Sequence, residues 1–349
     1  MRPILTTLLF SLLPLTTPSP LPNPPTQWHT LPSIPLAARQ EHSTFFLPPS
    51  TIGILGGVVP NGTTSVSTTP LMQFYSLTHN TWSTMPPMPK PLNHVNVAVA
   101  HGKIYVLGGL ADAPAGVSWN ATAESWIYDP STQAWEAIAP LPEGEVRGSA
   151  AMGVWGDKII LAGGMRALVL SGPGAGLQDT VDVVSMFDTG TGEYVAVPEA
   201  AKRMPGGRDH AGAAVVGGKM YVLGGREGGQ LNVKDTVFVL DLGSMEEGWR
   251  VSGARMPTAR GGVAAGVIGK RVFTFGGEGN QELESRVFNQ TEVYDTVGDN
   301  WEELEQMAVP RHGTYAVGVG DRVYVPGGGV QFGGEAPVAT FDAFSPFHY

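Results

Sequence analysis

Residues 219–225 read Lys219-Met220-Tyr221-Val222-Leu223-Gly224-Gly225, an apolar run that alternates with period two and stops on adjacent glycines. The same ending recurs at Gly56-Gly57, Gly108-Gly109, Gly163-Gly164, Gly276-Gly277 and Gly327-Gly328. These pairs are separated by 52, 55, 61, 52 and 51 residues, which marks an internal repeat. Upstream of the alternating strand lies one of small residues, such as Ala98-Val99-Ala100 or Ala213-Ala214-Val215-Val216. Alternation predicts strands, and small side chains suit an inner strand crowded around an axis. Downstream, Tyr128-Asp129 leads to Trp135, Tyr294-Asp295 to Trp301 and Phe187-Asp188 to Tyr194, seven residues from aromatic to aromatic. Leu240-Asp241 reaches Trp249 after nine, and Tyr75 with Trp82 has Ser76 in place of the aspartate. Such strand-rich units belong to propeller blades, with the large aromatics wedged between adjacent sheets.

The double glycine with its spaced Tyr and Trp resembles the kelch repeat, a four-stranded blade, over nearly all of the chain after residue 26. The resemblance implies an all-β fold, a six-bladed kelch β-propeller over residues 27–349. The sixth unit runs from Gly327-Gly328 to Phe341-Asp342 without reaching a tryptophan, and Gln27-Trp28-His29-Thr30-Leu31 reads as its missing strand. The ring is therefore expected to be closed by an N-terminal strand, which removes exposed sheet edges.

Composition bounds the function. A formal net charge of -10, with no basic run, argues against a nucleic-acid partner, because phosphate binding depends on clustered Lys and Arg. Arg2 and the apolar stretch Ile4 to Leu15 read as a secretory signal over residues 1–19, too short to span a bilayer. A Pro-rich leader follows over residues 20–26. The sequons at Asn61, Asn120 and Asn289 each fall after a double glycine, in stretches read as polar loops, and fit a secreted, glycosylated monomer. The absence of cysteine excludes thiolate metal sites and cysteine nucleophiles.

The resemblance also implies that ligands approach one end of the funnel, lined by the loops after each double glycine and the residues opening each inner strand. Sixteen residues before the first glycine stand Arg147, Arg208, Arg260 and Arg311; Arg39 lies one residue further off and Leu92 takes the place in blade two. As repeat residues, these arginines are expected to bind carbonyls or carboxylates between blades. Two positions on lie His42, His94, Ser149, His210, Gly262 and Gly313, preceded by Glu41, Asn93, Gly148, Asp209, Gly261 and His312. They differ between otherwise similar repeats, so the scaffold does not demand them. The histidines of blades one, two and four are expected to converge on space left by the small residues. Pairs such as Asp209-His210 are not expected to join, because neighbours on a strand face opposite ways.

After the glycine pairs come Val58, Leu110, Met165, Arg226, Glu278 and Gly329, a mixed set in which Arg226 is a candidate for holding a carboxylate or phenolate. The ligand-binding candidates are thus His42, Asn93, His94, Arg208, Asp209, His210, Arg226, Glu278 and His312. Three imidazoles invite a His₃ metal site, but their blades are not adjacent as a set, and neither metal nor other cofactor is expected. Leu168, Val169 and Leu170 read as a lid over the funnel, a strand extension or a partner surface.

Several family activities are excluded. Copper oxidases resembling galactose oxidase need a cysteine-linked tyrosine, iron-dependent specifier proteins carry Glu, Asp and His spaced by four, and ubiquitin-ligase adaptors add a BTB domain. The expectation that remains is a secreted propeller binding a small organic molecule, glycan or peptide at the funnel mouth. The alternative is a metal-free pocket enzyme (isomerase, lyase or pericyclase) acting on a hydrophobic small molecule of secondary metabolism.

Overall fold

The computed structural model describes residues 27–62, 65–114 and 117–346. The predicted signal and leader, and Thr63 of the first sequon, lie outside the described residues. Six antiparallel sheets carry the repeat. Blade 1 takes Ser43–Leu47, Thr51–Leu55, Met72–Ser76 and Thr81–Met85 in that order from the axis outward. Blades 2 to 5 repeat the order, beginning at Val97–Ala100, Ala151–Trp155, Gly212–Val216 and Ala264–Ile268. Blade 6 takes Val317–Val319, Arg322–Pro326 and Phe341–Ser345, and its outer strand is Gln27–Thr30. The expected closure is present: Trp28 lies opposite Phe344 and packs edge-on against Phe275 at 5.4 Å. The inner strands touch in succession around the axis, and the last meets the first. Among the described residues no helix is long and apolar enough to cross a membrane.

The repeat residues earn these positions physically. Tyr75, Tyr128, Phe187 and Tyr294 sit directly opposite Trp82, Trp135, Tyr194 and Trp301 on the two outer strands. Their rings lie 5.0–5.2 Å apart, within the range of favourable aromatic pairs. Blade 4 needs nine residues because a 3₁₀ turn, Met245–Glu247, is inserted before Trp249. Trp82, Trp135 and Trp249 each donate their indole N–H to a carbonyl of the preceding blade, at Pro32, Pro86 and Ala201.

The first glycine of each pair has a left-handed φ and lies against the next blade. At Gly276 a Cβ would stand 1.9 Å from the Arg311 carbonyl oxygen, so no side chain fits there. The second glycine uses that proximity: the Gly277 N–H donates to the same carbonyl at 2.8 Å.

Blade 2 departs from the pattern. Its second and third strands extend to Lys103–Asp112 and Ser118–Asp129, and two strands from the blade 3 loop, Met165–Val169 and Gln178–Thr180, join them. Of the readings open for Leu168 the strand extension holds: it is paired with Trp119 and buried with it in one apolar cluster. Asn120 falls on this extended strand and Asn61 ends the strand Val58–Asn61, so neither lies in a loop, though both are exposed; Asn289 is half-buried.

Candidate functional site

Each inner strand is entered at the loop end through one residue with left-handed φ: Glu41, His94, Ser149, His210, Gly262 and Gly313, between 49° and 66°. Five hydrogen bonds link neighbouring members of this set around the axis. The N–H of Glu41 donates to Gly313, of His94 to Glu41, of Ser149 to His94 and of Gly262 to His210, at 2.5–2.9 Å. The His210 N–H donates to the Ser149 hydroxyl at 3.1 Å.

Glu41 and not His42 occupies the blade 1 position. Strands Ser43–Leu47 and Thr51–Leu55 are joined by three residues, Pro48-Pro49-Ser50, where blade 2 uses two, His101-Gly102. Counting back from the glycines therefore misses by one, while counting forward from Arg39 finds Glu41. His42 is buried between blades 1 and 6 beside Gly327, away from the axis. Burial, and then Arg39, push its pKa down to about 3.

His94 and His210 do converge, with Nε2 atoms 2.8 Å apart. Glu41 Oε2 lies 3.0 Å from His94 Nε2 and 3.9 Å from His210 Nε2. Ser149, Gly262 and Gly313 give them room: a Cβ on Gly313 would stand 2.5 Å from Glu41 Oε1. His210 Nδ1 meets Asp209 Oδ1, and His94 Nδ1 meets Asn93 Oδ1, both at 2.6 Å. The expectation that Asp209 and His210 face apart fails because the left-handed φ of His210 breaks strand alternation.

Around the ring runs a second tier, in which each residue before the left-handed one bridges the residue after the glycines, as in Asn93 with Leu110 and Asp209 with Arg226. Blades 1 to 3 fill this tier with Val58, Leu110 and Met165, packed with Trp119 and Leu168 into a closed apolar cluster and not an open wall. Blades 4 to 6 fill it with charge. Arg226 pairs with Glu278 and lies 3.4 Å from Asp209, so it is already engaged and does not stand free for a ligand carboxylate. His312 Nδ1 is 3.5 Å from Glu278 and 4.0 Å from Glu41. Arg208 lies outside the hub, donating to Thr236 at 2.7 Å and stacked over Phe238. The other repeat arginines take carboxylates and carbonyls, but within their own blade and not between blades: Arg260 pairs with Glu292 at 2.6 Å, and Arg147 donates to the carbonyls of Gly163 and Leu161.

Burial alone would raise the Glu41 carboxyl, but His94, with His210 and His312, overcomes it and holds the group well below the usual range. Asp209 and Glu278 are likewise opposed by burial and lowered by His210 and Arg226, and by His312 and Arg226. His210 is pushed down to about 4 by burial and then by Arg226. Two residues that sequence reasoning missed join this site: Trp119, whose ring centroid is 5.4 Å from that of His94, and Tyr315, which lines a small cavity with Glu41 and His210.

The blade 6 loop covers the hub. Gln331 O contacts His312 Nε2 at 2.6 Å, and the Gly333 N–H donates to Glu278 at 2.9 Å. Beside this cap a groove of about 570 Å³ runs between Pro60, Gly62 and Val66 of blade 1 and Gln331, Glu335 and Pro337 of blade 6.

Comparison with known proteins agrees with this architecture. Residues 168–328 match the KLHDC2/KLHL20/DRC7 Kelch-repeats domain, and residues 91–142 the Kelch motif. The Kelch-like protein terF of Aspergillus terreus is 40% identical over 322 residues, 91% of this chain and 67% of that protein. The chain belongs to the kelch-repeat family. N-acetylneuraminate epimerase of Vibrio cholerae is similar over a shorter stretch, 33% identical over 104 residues, 29% of this chain and 26% of that protein. The solved structure of YjhT shares the propeller fold with a TM-score of 0.69 at 16% identity, covering 89% of this chain and 95% of that one.

Proposed function

We propose that the chain is a secreted kelch propeller that binds a small organic molecule, sugar or short peptide at the loop end of its axis. The groove beside the cap carries this reading. Its volume of about 570 Å³ lies within the usual range for small-ligand sites, and Gln331 belongs both to its wall and to the cap over His312. A ligand seated there rests on blades 1 and 6 and displaces the cap to reach the charged floor. Secretion and glycosylation are supported by the N-terminal reading and by exposed Asn61 and Asn120.

A thermal-shift screen of organic acids, sugars and short peptides tests the binding reading. A true ligand raises the melting temperature of the wild type, and Val66→Arg, which fills the groove, removes that shift. Hits whose shifts survive Val66→Arg place binding elsewhere and defeat the proposal.

A second reading, an isomerase or lyase working by proton transfer, is favoured by the Glu41–His94–His210 contact, since buried titratable clusters concentrate where acid–base chemistry occurs. The epimerase relative supports it as analogy of fold. Under this reading His94→Gln abolishes turnover of a ligand it still binds; unchanged turnover in that variant removes it.

A further inference from the structure

The hydrogen bonds around the two hub imidazoles fix where their protons sit. Asn93 donates its amide to Thr68 Oγ1 at 2.8 Å, and the Thr68 hydroxyl donates to Asp112 at 2.6 Å. The Asn93 carbonyl oxygen therefore faces His94 and accepts its Nδ1–H. Asp209 is a carboxylate and accepts only, so the His210 Nδ1–H donates to it. In the neutral rings both Nε2 atoms then carry lone pairs, yet they meet at 2.8 Å with Glu41 Oε2 beside them. Three acceptors share one small space, and something positive must lie between them.

The charge count points the same way. Among the described residues the hub gathers the buried carboxylates Glu41, Asp209 and Glu278 around one guanidinium, Arg226. This leaves two negative charges without a permanent counter-charge. Uncompensated charge in such burial is costly.

We infer that Glu41, His94 and His210 form a binding site for one divalent metal ion of the zinc class. The three donor atoms lie within 4.8 Å of one another. Metal–nitrogen bonds of about 2.0–2.1 Å at tetrahedral angles separate two nitrogens by roughly 3.4 Å, so the rings need to part only slightly. Two histidines and a glutamate are a known zinc set that keeps a fourth position free. The outer partners match as well: Asp209 and Asn93 orient the rings through Nδ1, as partners of metal-bound imidazoles do. The ion also neutralises the two surplus charges. The inference stands on the hub alone and does not depend on what binds in the groove.

The test uses the full chain, stripped with a chelator, dialysed and titrated with Zn²⁺ alone by calorimetry and with Co²⁺ alone by visible absorption. The wild type is expected to bind one equivalent, with Co²⁺ giving the strong bands of a low-coordinate nitrogen–oxygen site. Glu41→Gln weakens Zn²⁺ binding by at least about 100-fold, and Asp209→Asn by roughly 10- to 100-fold. The wild-type titration is decisive whether or not the variants fold. Failure of the wild type to take up Zn²⁺, or a folded Glu41→Gln that binds it equally well, overturns the inference and assigns the positive charge to protons held between the rings.

Discussion

In blade 1, the third residue of the Pro48-Pro49-Ser50 turn decides whether a carboxylate or an imidazole meets the axis. The sequence makes the hub position legible as one that varies between repeats, and it identifies His94, His210, Ser149, Gly262 and Gly313 correctly. It does not reveal Glu41 when counted from the glycines, because a longer hairpin turn leaves no mark on the apolar alternation. The pairing of Arg226 with Glu278 is also hidden: their blades are neighbours, but side-chain direction follows from local φ and not from spacing. The repeat arginines are the readable part. Their burial carries a measurable consequence, because removing one partner leaves an unpaired buried charge. Arg260→Met is expected to lower the free energy of unfolding by about 3–5 kcal/mol, and Arg260→Met with Glu292→Leu to recover most of that loss in denaturant titrations.

At the scale of the element, the aspartates of blades 2 to 5 at this position, Asp129, Asp188, Asp241 and Asp295, shape the turn between the two outer strands. Asp129 accepts from the Ser131 N–H and hydroxyl, and these contacts with Lys103 bring its pKa down to about 2. A carboxyl lowered on folding contributes stability that is complete above its unfolded pKa near 4 and lost as pH falls toward 2. Asp188, Asp241 and Asp295 are lowered in the same direction, the first two chiefly by Lys158 and Lys219 and the third by turn N–H groups. Melting temperature is therefore expected to decline between pH 4 and pH 2, and Asp129→Asn to make that decline shallower. An unchanged slope in the variant would show that this turn is not a source of the acid sensitivity. The aromatic spacing was readable here because cross-strand pairing fixes it; the blade 4 insertion shows the tolerance of that rule.

At the scale of the molecule, six blades share one ring, and the last is completed by residues from the opposite end of the chain. Trp28 is half-buried against Phe275 and Phe344, so Trp28→Ala is expected to cost about 3 kcal/mol, at the low end for such truncations. A loosened outer strand exposes the edge of Phe341–Ser345, so the variant should also associate with increasing concentration in light scattering. A variant as stable and as monodisperse as the wild type would mean that the strand contributes little to holding the wheel shut. This closure was visible in the sequence as a unit lacking its tryptophan and a tryptophan lacking its unit.

The set of hydrogen bonds around the axis has an implication for diversity. Because four of the five hydrogen bonds that join these positions are made by main-chain atoms, the side chains of Glu41, His94 and His210 carry little of the mechanical load, and two of the six positions carry no side chain at all. Such an arrangement permits each to be exchanged separately, so that a lineage, or a designer, can install new chemistry at the centre without rebuilding the rim.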